Sequence, residues 1–362
     1  MQLSAVLVVG NSLETATQKG SASTSSQRKP GESVIACADI LGQSVLERAV
    51  RQLSQAGVAL ITVIAASDVA ESLSVERSPK YELRKVAADM DEGRVAAEVI
   101  EEHGGQHAES VLVYSLDAYA EFDVVELLRF HLSRKKPLTR ARDEHGPLGL
   151  WIVDALSVRR CDVKDIFLRG EDRENDPRVA SFLLKGYVRR LRSAQDVRRL
   201  TIDGLLGRCA FAPCGQEDRP GVWLGEGARV HPAARLVAPV FIGRSTKVGS
   251  GALVTRFSSV EQRCLVDAGA TIEDATILPD TYVGRGIDVA HAVVDGNHFV
   301  HLKRDVAVDV EDSSLIGSRR PKVRTAKEKE QGVGALSTGI FGLGYSRYLL
   351  RTAGLISEVF KG

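Results

Sequence analysis

Asp117 closes the apolar run SVLVYSL (Ser110 to Leu116), and an acid at the end of a buried strand is placed to bind a metal ion or a ligand. Its plainer alternatives are a helix N-cap or a surface acid. Gly10 closes a second apolar run, VLVVG, and in the segment after it residues 19–33 bring together Ser, Gly, Lys and Arg, Lys29 among them. Backbone amides and hydroxyls in such a loop can cradle a phosphate, or the loop is an ordinary solvated one. Arg189, Arg190, Arg192, Arg198 and Arg199 offer either an anion site or a solvated helix face. His231, His291, His298 and His301 are the candidates for general-base chemistry, with corner or interface packing as the alternative. His298-x-x-His301 lacks a third ligand, and Cys209 and Cys214 lack a second pair, so metal-site spacing is incomplete at both.

Composition limits what these residues can serve. With 48 basic against 47 acidic residues there is no global field to attract nucleic acid. Five scattered cysteines, no basic-then-apolar leader after Met1 and no apolar run near the length of a membrane span point to a cytoplasmic protein, soluble or peripheral.

The elements that must position the candidates differ along the chain. Residues 1–206 alternate helix-like and strand-like segments, the pattern of an α/β sheet covered by helices. Ser44 and Glu47 form a capping box, Val45, Leu46, Ala49, Val50 and Leu53 make one apolar face, and Gly57 stops the helix before the strand VALITVIA. Asp123 and Glu126 open another helix after Asp117. Ligands of open α/β sheets bind at the carboxyl ends of the strands, which selects Asp117 and the loop after Gly10.

From Val222 the pattern changes to a period of six. Leu224, Val230, Leu236, Ile242, Val248, Val254, Val260, Val266, Ile272 and Leu278 recur in strict phase. This period matches neither an α-helix nor a single strand. It fits a coil in which each hexad gives one short strand and one corner, stacked coils burying a column of aliphatics. After Leu278 the phase slips to Ile277, Val283 and Val289 and continues loosely to about Ile316, which reads as a distorted last coil. The fold class is therefore α/β plus all-β: a Rossmann-like α/β/α domain (1–206), a linker (207–221), a left-handed parallel β-helix of hexapeptide repeats (222–318), and a linker with an amphipathic tail (319–362).

Four segments carry a resemblance to the sugar-1-phosphate nucleotidyltransferases, the NDP-sugar pyrophosphorylases. They are ILGQSVLERAVRQLSQAGVALITVIA (Ile40 to Ala65), VLVYSLDAYAEFDVVELLRFHLSRKKPLT (Val111 to Thr139), GPLGLWIVDA (Gly146 to Ala155) and YVRRLRSAQDVRRLTIDGLL (Tyr187 to Leu206). The resemblance implies an α/β/α nucleotidyltransferase domain that joins a nucleoside triphosphate to a sugar 1-phosphate, giving an NDP-sugar and pyrophosphate, with Mg2+ as cofactor. It assigns Asp117 to the metal, Gly10, Asn11 and Lys29 to the nucleotide, and Gly149 and Asp154 to the sugar-facing strand. The sequence departs from the family at several of its motifs. After Gly10 neither the second glycine nor the Thr-Arg pair of the family loop follows, SVIACADI has no lysine where the family has one, Leu116 replaces the small residue before the aspartate, and no Glu-Lys-Pro motif is recognisable.

The expected function is that of a nucleotidyltransferase-like protein of nucleotide-sugar or polysaccharide metabolism. The alternatives are a non-catalytic relative that binds a nucleotide or sugar nucleotide and regulates or scaffolds a partner, and a hexapeptide-repeat acyltransferase using the four histidines. Homo-oligomerisation through the β-helix or the tail is expected. The amphipathic segment Tyr345 to Phe360 packs on its own domain or a partner subunit in this reading, with a membrane surface as the alternative.

Overall fold

The computed structural model describes residues 3–9, 36–73, 81–87, 92–105, 108–155 and 176–319. Gly10, Asn11, Lys29 and the tail segment Tyr345 to Phe360 lie outside these residues. The chain divides into two compact units, Met1–Gln216 and Glu217–Gly362, the boundary falling within the stretch read as a linker.

The first unit is a mixed α/β domain. In chain order it holds β1 (Leu3–Val9), a short ribbon of β2 (Asp39–Ile40) and β3 (Gln43–Ser44), α1 (Val45–Gln55), β4 (Leu60–Ala66), α2 (Ser67–Ser72) and β5 (Glu82–Val86). There follow α3 (Glu92–Gly105), β6 (Ser110–Ser115), β7 (Ala118–Ala120), α4 (Val124–Arg134), β8 (Leu138–Asp143), β9 (Gly146–Asp154), β10 (Val179–Leu183), β11 (Val188–Arg190) and α5 (Ala194–Leu205). Seven strands form one sheet in the order β10-β8-β9-β6-β1-β4-β5. β9 runs against its neighbours β6 and β8, and the other pairs are parallel. The central strands read as unbroken apolar runs because both faces are covered: every residue of β6 is buried, and so is β1 from Ser4 onward.

Local signals act where the sequence places them. Ser44 caps α1, its hydroxyl accepting from the Glu47 amide at 3.1 Å while the Glu47 carboxylate accepts from the Ser44 amide at 3.1 Å. The five buried residues of α1 are Val45, Leu46, Ala49, Val50 and Leu53, the face read from the sequence. Asp123 caps α4 by accepting from the amides of Val125 and Glu126. From β1 the chain moves to β4 and β5 on one side, then returns to β6 on the other. The switch point is the carboxyl end of β1, where open α/β sheets take ligands.

The second unit is made of short parallel strands that visit three sheets in turn. One sheet stacks Val222–Leu224, Val240–Ile242, Ser259–Val260, Thr276–Ile277 and Ala292–Asp295; the next stacks Arg229–Val230, Lys247–Val248, Leu265–Val266 and Thr281–Val283; the third stacks Arg235–Leu236, Leu253–Thr255, Thr271–Glu273 and Asp288–Ala290. Ile242, Val254, Val260, Val266, Ile272, Ile277, Val283 and Val289 are fully buried in the resulting column.

Two details differ from the expected repeat. Phe241 pairs with Ser259, eighteen residues on, whereas Ser259 pairs with Thr276, seventeen on. The lost residue belongs to the corner after Ile272, where Asp274 turns the chain alone with φ 49°. Ile277, not Leu278, therefore continues the inward row. The end of the unit is also not a distorted coil. His298–His301 pairs antiparallel with Ala292–Asp295, Val306–Asp309 pairs antiparallel with His298–His301, and Ile316–Ser318 runs antiparallel to Thr281–Val283. The reversal is set by Gly296 and Asn297, a two-residue hairpin turn with Gly296 at φ 60°. Alternating aliphatics in a hairpin imitate a loose hexad pattern, which is why the spacing reads as a continued repeat toward Ile316.

Candidate functional site

The carboxyl edge of the sheet gathers four chain segments. β6 ends at Ser115, and the Leu116 amide donates to the Val8 carbonyl at 3.0 Å, tying the following turn to β1. Asp117 comes next. Its carbonyl accepts from the Leu191 amide at 2.7 Å, and β7 pairs antiparallel with β11, so Arg190 lies opposite Ala118. The Tyr114 hydroxyl fixes the turn from beneath, donating to the Ala118 carbonyl at 2.8 Å and accepting from the Ala120 amide at 2.9 Å. Burial pushes that phenol far above its ordinary range, so it stays protonated.

β9 enters this edge through Gly149. A Cβ there would sit 2.6 Å from the Ser115 Cβ and 3.2 Å from Asp117 Oδ1, so the absence of a side chain permits the close approach. Beneath it, Ser115 Oγ and Asp117 Oδ1 are buried and have no hydrogen-bond partner. Burial raises the Asp117 carboxyl above the usual carboxylate range; the neighbouring Ser115 hydroxyl and the charges of Arg192 and Arg190 moderate the shift. The pair can accept and donate hydrogen bonds to a hydroxylated ligand that excludes water.

A second carboxylate stands at the end of β8. Burial would raise the Asp143 carboxyl, but Arg190 grips it with two hydrogen bonds, Nη1 to Oδ2 at 2.6 Å and Nη2 to Oδ1 at 2.9 Å, and holds it below its ordinary range. Arg190 Nη2 also reaches the carbonyls of Gly146 and Pro147 at 3.3 Å. Asp143, Glu144, His145, Leu183, Leu184, Lys185, Gly186 and Val188 line a cleft of about 340 Å³ on this edge. Arg189 is engaged elsewhere, donating to Asp203 at 3.0 Å, where Tyr187 also donates at 2.6 Å. Arg198, read as part of a solvated face, is buried within α5.

The candidate residues thus separate. Asp117 and Gly149 are brought into contact. Asp154 lies at the other end of β9, opposite Ser110 at the start of β6, where its charge acts on the buried His131. The sequence reading missed Ser115, Asp143 and the pairing of Arg190. Ser115 had a signal, since it stands two residues before Asp117 on a strand where alternate residues share a face. The Asp143–Arg190 pair had none, because 47 residues separate its members.

The four histidines make local contacts. His231 Nδ1 accepts from the Ala233 amide at 3.1 Å within one corner. His291 sits at a corner with φ 53°, Nδ1 bonded to Asp274 at 2.5 Å and Nε2 to Lys303 at 2.9 Å. His298 pairs with Asp309 across the hairpin at 2.6 Å, and the buried His301 accepts from the Arg304 amide at 3.2 Å.

Among the described residues no group of three or more His, Cys, Asp or Glu is placed to hold a metal ion. Around Asp117 the donors among the described residues do not fit a divalent cation: the carboxylate of Asp143 is occupied by Arg190, and guanidinium charges act on Asp117 itself. Among the described residues no helix is long and apolar enough to cross a membrane.

No family model matches the sequence. Over 102 residues it is 28% identical to the UTP–glucose-1-phosphate uridylyltransferase of Synechocystis sp.. The match covers 28% of this chain and 26% of that protein, so the chain spans about a quarter of the curated relative's length. This partial-length similarity is to a sugar-nucleotide nucleotidyltransferase, and it supports a general nucleotidyltransferase-like relationship at the level of the family.

Proposed function

We propose that the first unit is a Rossmann-like nucleotidyltransferase domain that binds a sugar nucleotide, or the nucleoside triphosphate and sugar 1-phosphate from which one is made, at the carboxyl edge of its sheet. The second unit is its left-handed parallel β-helix, the module through which copies of the chain assemble. The observation that carries the reading is the pair of unpartnered buried groups, Ser115 Oγ and Asp117 Oδ1, roofed by Gly149 beside the switch point of the sheet. Such groups are rare in folded proteins and accumulate where a ligand completes them. The similarity to a uridylyltransferase supports the same class of ligand.

The missing Thr-Arg pair after Gly10 and the missing lysine of SVIACADI favour one version of this reading, in which the protein is a regulatory or scaffolding relative without nucleotidyl transfer. Losing a charge partner of a triphosphate typically lowers the rate by orders of magnitude. The test is a panel of nucleoside triphosphates and hexose 1-phosphates with Mg2+, followed for pyrophosphate release, alongside calorimetric binding of the matching NDP-hexoses. The expected result is binding that Asp117→Ala abolishes, without pyrophosphate release. Binding unchanged by Asp117→Ala would refute the site, and release of pyrophosphate in any pairing would refute the non-catalytic version.

A further inference from the structure

We propose that Arg192 supplies, without a divalent cation, the positive charge that holds a phosphorylated ligand beside Ser115 and Asp117. The proposal rests on the binding reading above and concerns how that binding is charged.

The geometry comes from the ribbon of β7 and β11. Arg189 pairs with Tyr119, Arg190 with Ala118, and the Leu191 amide donates to the Asp117 carbonyl, so Arg192 leaves the ribbon directly beside Asp117. Its guanidinium is exposed, and its side chain makes no hydrogen bond or ion pair among the described residues. The neighbouring Arg190 is the opposite case. It donates to both oxygens of Asp143 and to two carbonyls, so it is committed to the hairpin of β8 and β9. A cation on this edge would find Asp143 already neutralised and the charge of Arg192 acting on Asp117. A phosphate finds the reverse: a planar donor fork able to bind two of its oxygens, with water free to leave. The unpartnered Ser115 hydroxyl, 1% exposed, and Asp117 Oδ1 then take the hydroxyls of the sugar that the phosphate carries. The ligand class is a phosphorylated sugar, free or as the sugar end of an NDP-hexose.

Calorimetry of the full chain with a panel of NDP-hexoses and hexose 1-phosphates, in excess EDTA and again in Mg2+, tests this. The expected affinities in the two buffers agree within about twofold, and Arg192→Ala weakens binding about tenfold, as loss of one charge-assisted pair would, while Arg192→Lys retains part of it. Because Arg192 is exposed, far-ultraviolet circular dichroism should show the variants folded. Binding that requires Mg2+, or that Arg192→Ala leaves unchanged, overturns the inference and leaves the binding reading standing. Absence of binding in both buffers refutes the binding reading and this inference with it.

Discussion

Ser115 Oγ and Asp117 Oδ1 are buried and make no well-formed hydrogen bond, the Ser115 hydroxyl acting on the Asp117 carboxyl only as a neighbour, and a buried polar group left in that state costs about 1–3 kcal/mol. A ligand that satisfies both recovers that cost on binding. Gly149 lets β9 approach the turn at Ser115 and Asp117, so Gly149→Ala should lower stability by about 1–3 kcal/mol in urea unfolding and weaken ligand binding, because its methyl would meet Ser115. An alanine variant with wild-type affinity would show that this turn is not the site. Elsewhere in the sheet a titratable residue controls stability. His103 on α3 is buried, bonded through Nε2 to Thr62 and through Nδ1 to Ser4, both at 2.9 Å. Burial lowers its pKa against the upward pull of Glu82 and Glu102, with Arg84 adding to the fall. Its folded pKa lies below the ordinary value of about 6.5, so its contribution is complete above that pH and is lost as the pH falls through the folded value. Urea midpoints should drop between about pH 7 and pH 5, and His103→Gln should flatten part of the slope. An unchanged slope would assign the dependence to other groups, such as His131, which is shifted the same way. At this scale the sequence singled out Asp117 and Gly149, and the fold puts the two in contact. It could not disclose that Asp143 and Arg190 neutralise each other, because that follows from folding alone.

Elements were the most legible level, since their signals are local. The capping box at Ser44 and Glu47 and the apolar face of α1 were readable residue by residue, and Ser44→Ala should cost about 1 kcal/mol in the same unfolding assay. A loss near zero would mean that packing alone fixes that end. The six-residue period was equally plain, but its faults were hidden. A corner with one residue fewer moves the inward row from Leu278 to Ile277, and a Gly-Asn turn converts the last repeats to a hairpin. Period counting registers neither, because both keep aliphatics at nearly the same spacing. Ile277→Ala should cost about 2–5 kcal/mol, the range for opening a cavity in a filled column. A value below that range would show that the column relaxes around the loss.

Across the whole molecule, two kinds of order meet in one chain: a sheet with the proposed site at the ends of its strands, and a stack of short strands that repeats. The second is expected to assemble copies, and sedimentation should give a mass that is a multiple of the chain's; a monomer at all concentrations would remove that role. The division into two architectures was legible because a period of six and a mixed α/β pattern do not overlap. The use of the site was less so, since the segment from Gly10 to Lys29 departs from the family's loop and the match to a known uridylyltransferase covers 28% of the chain. Ligand is proposed to bind where Asp117, Gly149 and the ribbon of β7 and β11 meet, and hydrogen–deuterium exchange of the full chain with and without a saturating NDP-hexose is the direct test. Added protection is expected at residues 115–120, 143–149 and 188–192, with the stack from 222 to 290 unchanged. Protection confined to that stack, or to the histidines of its last hairpin, would contradict it.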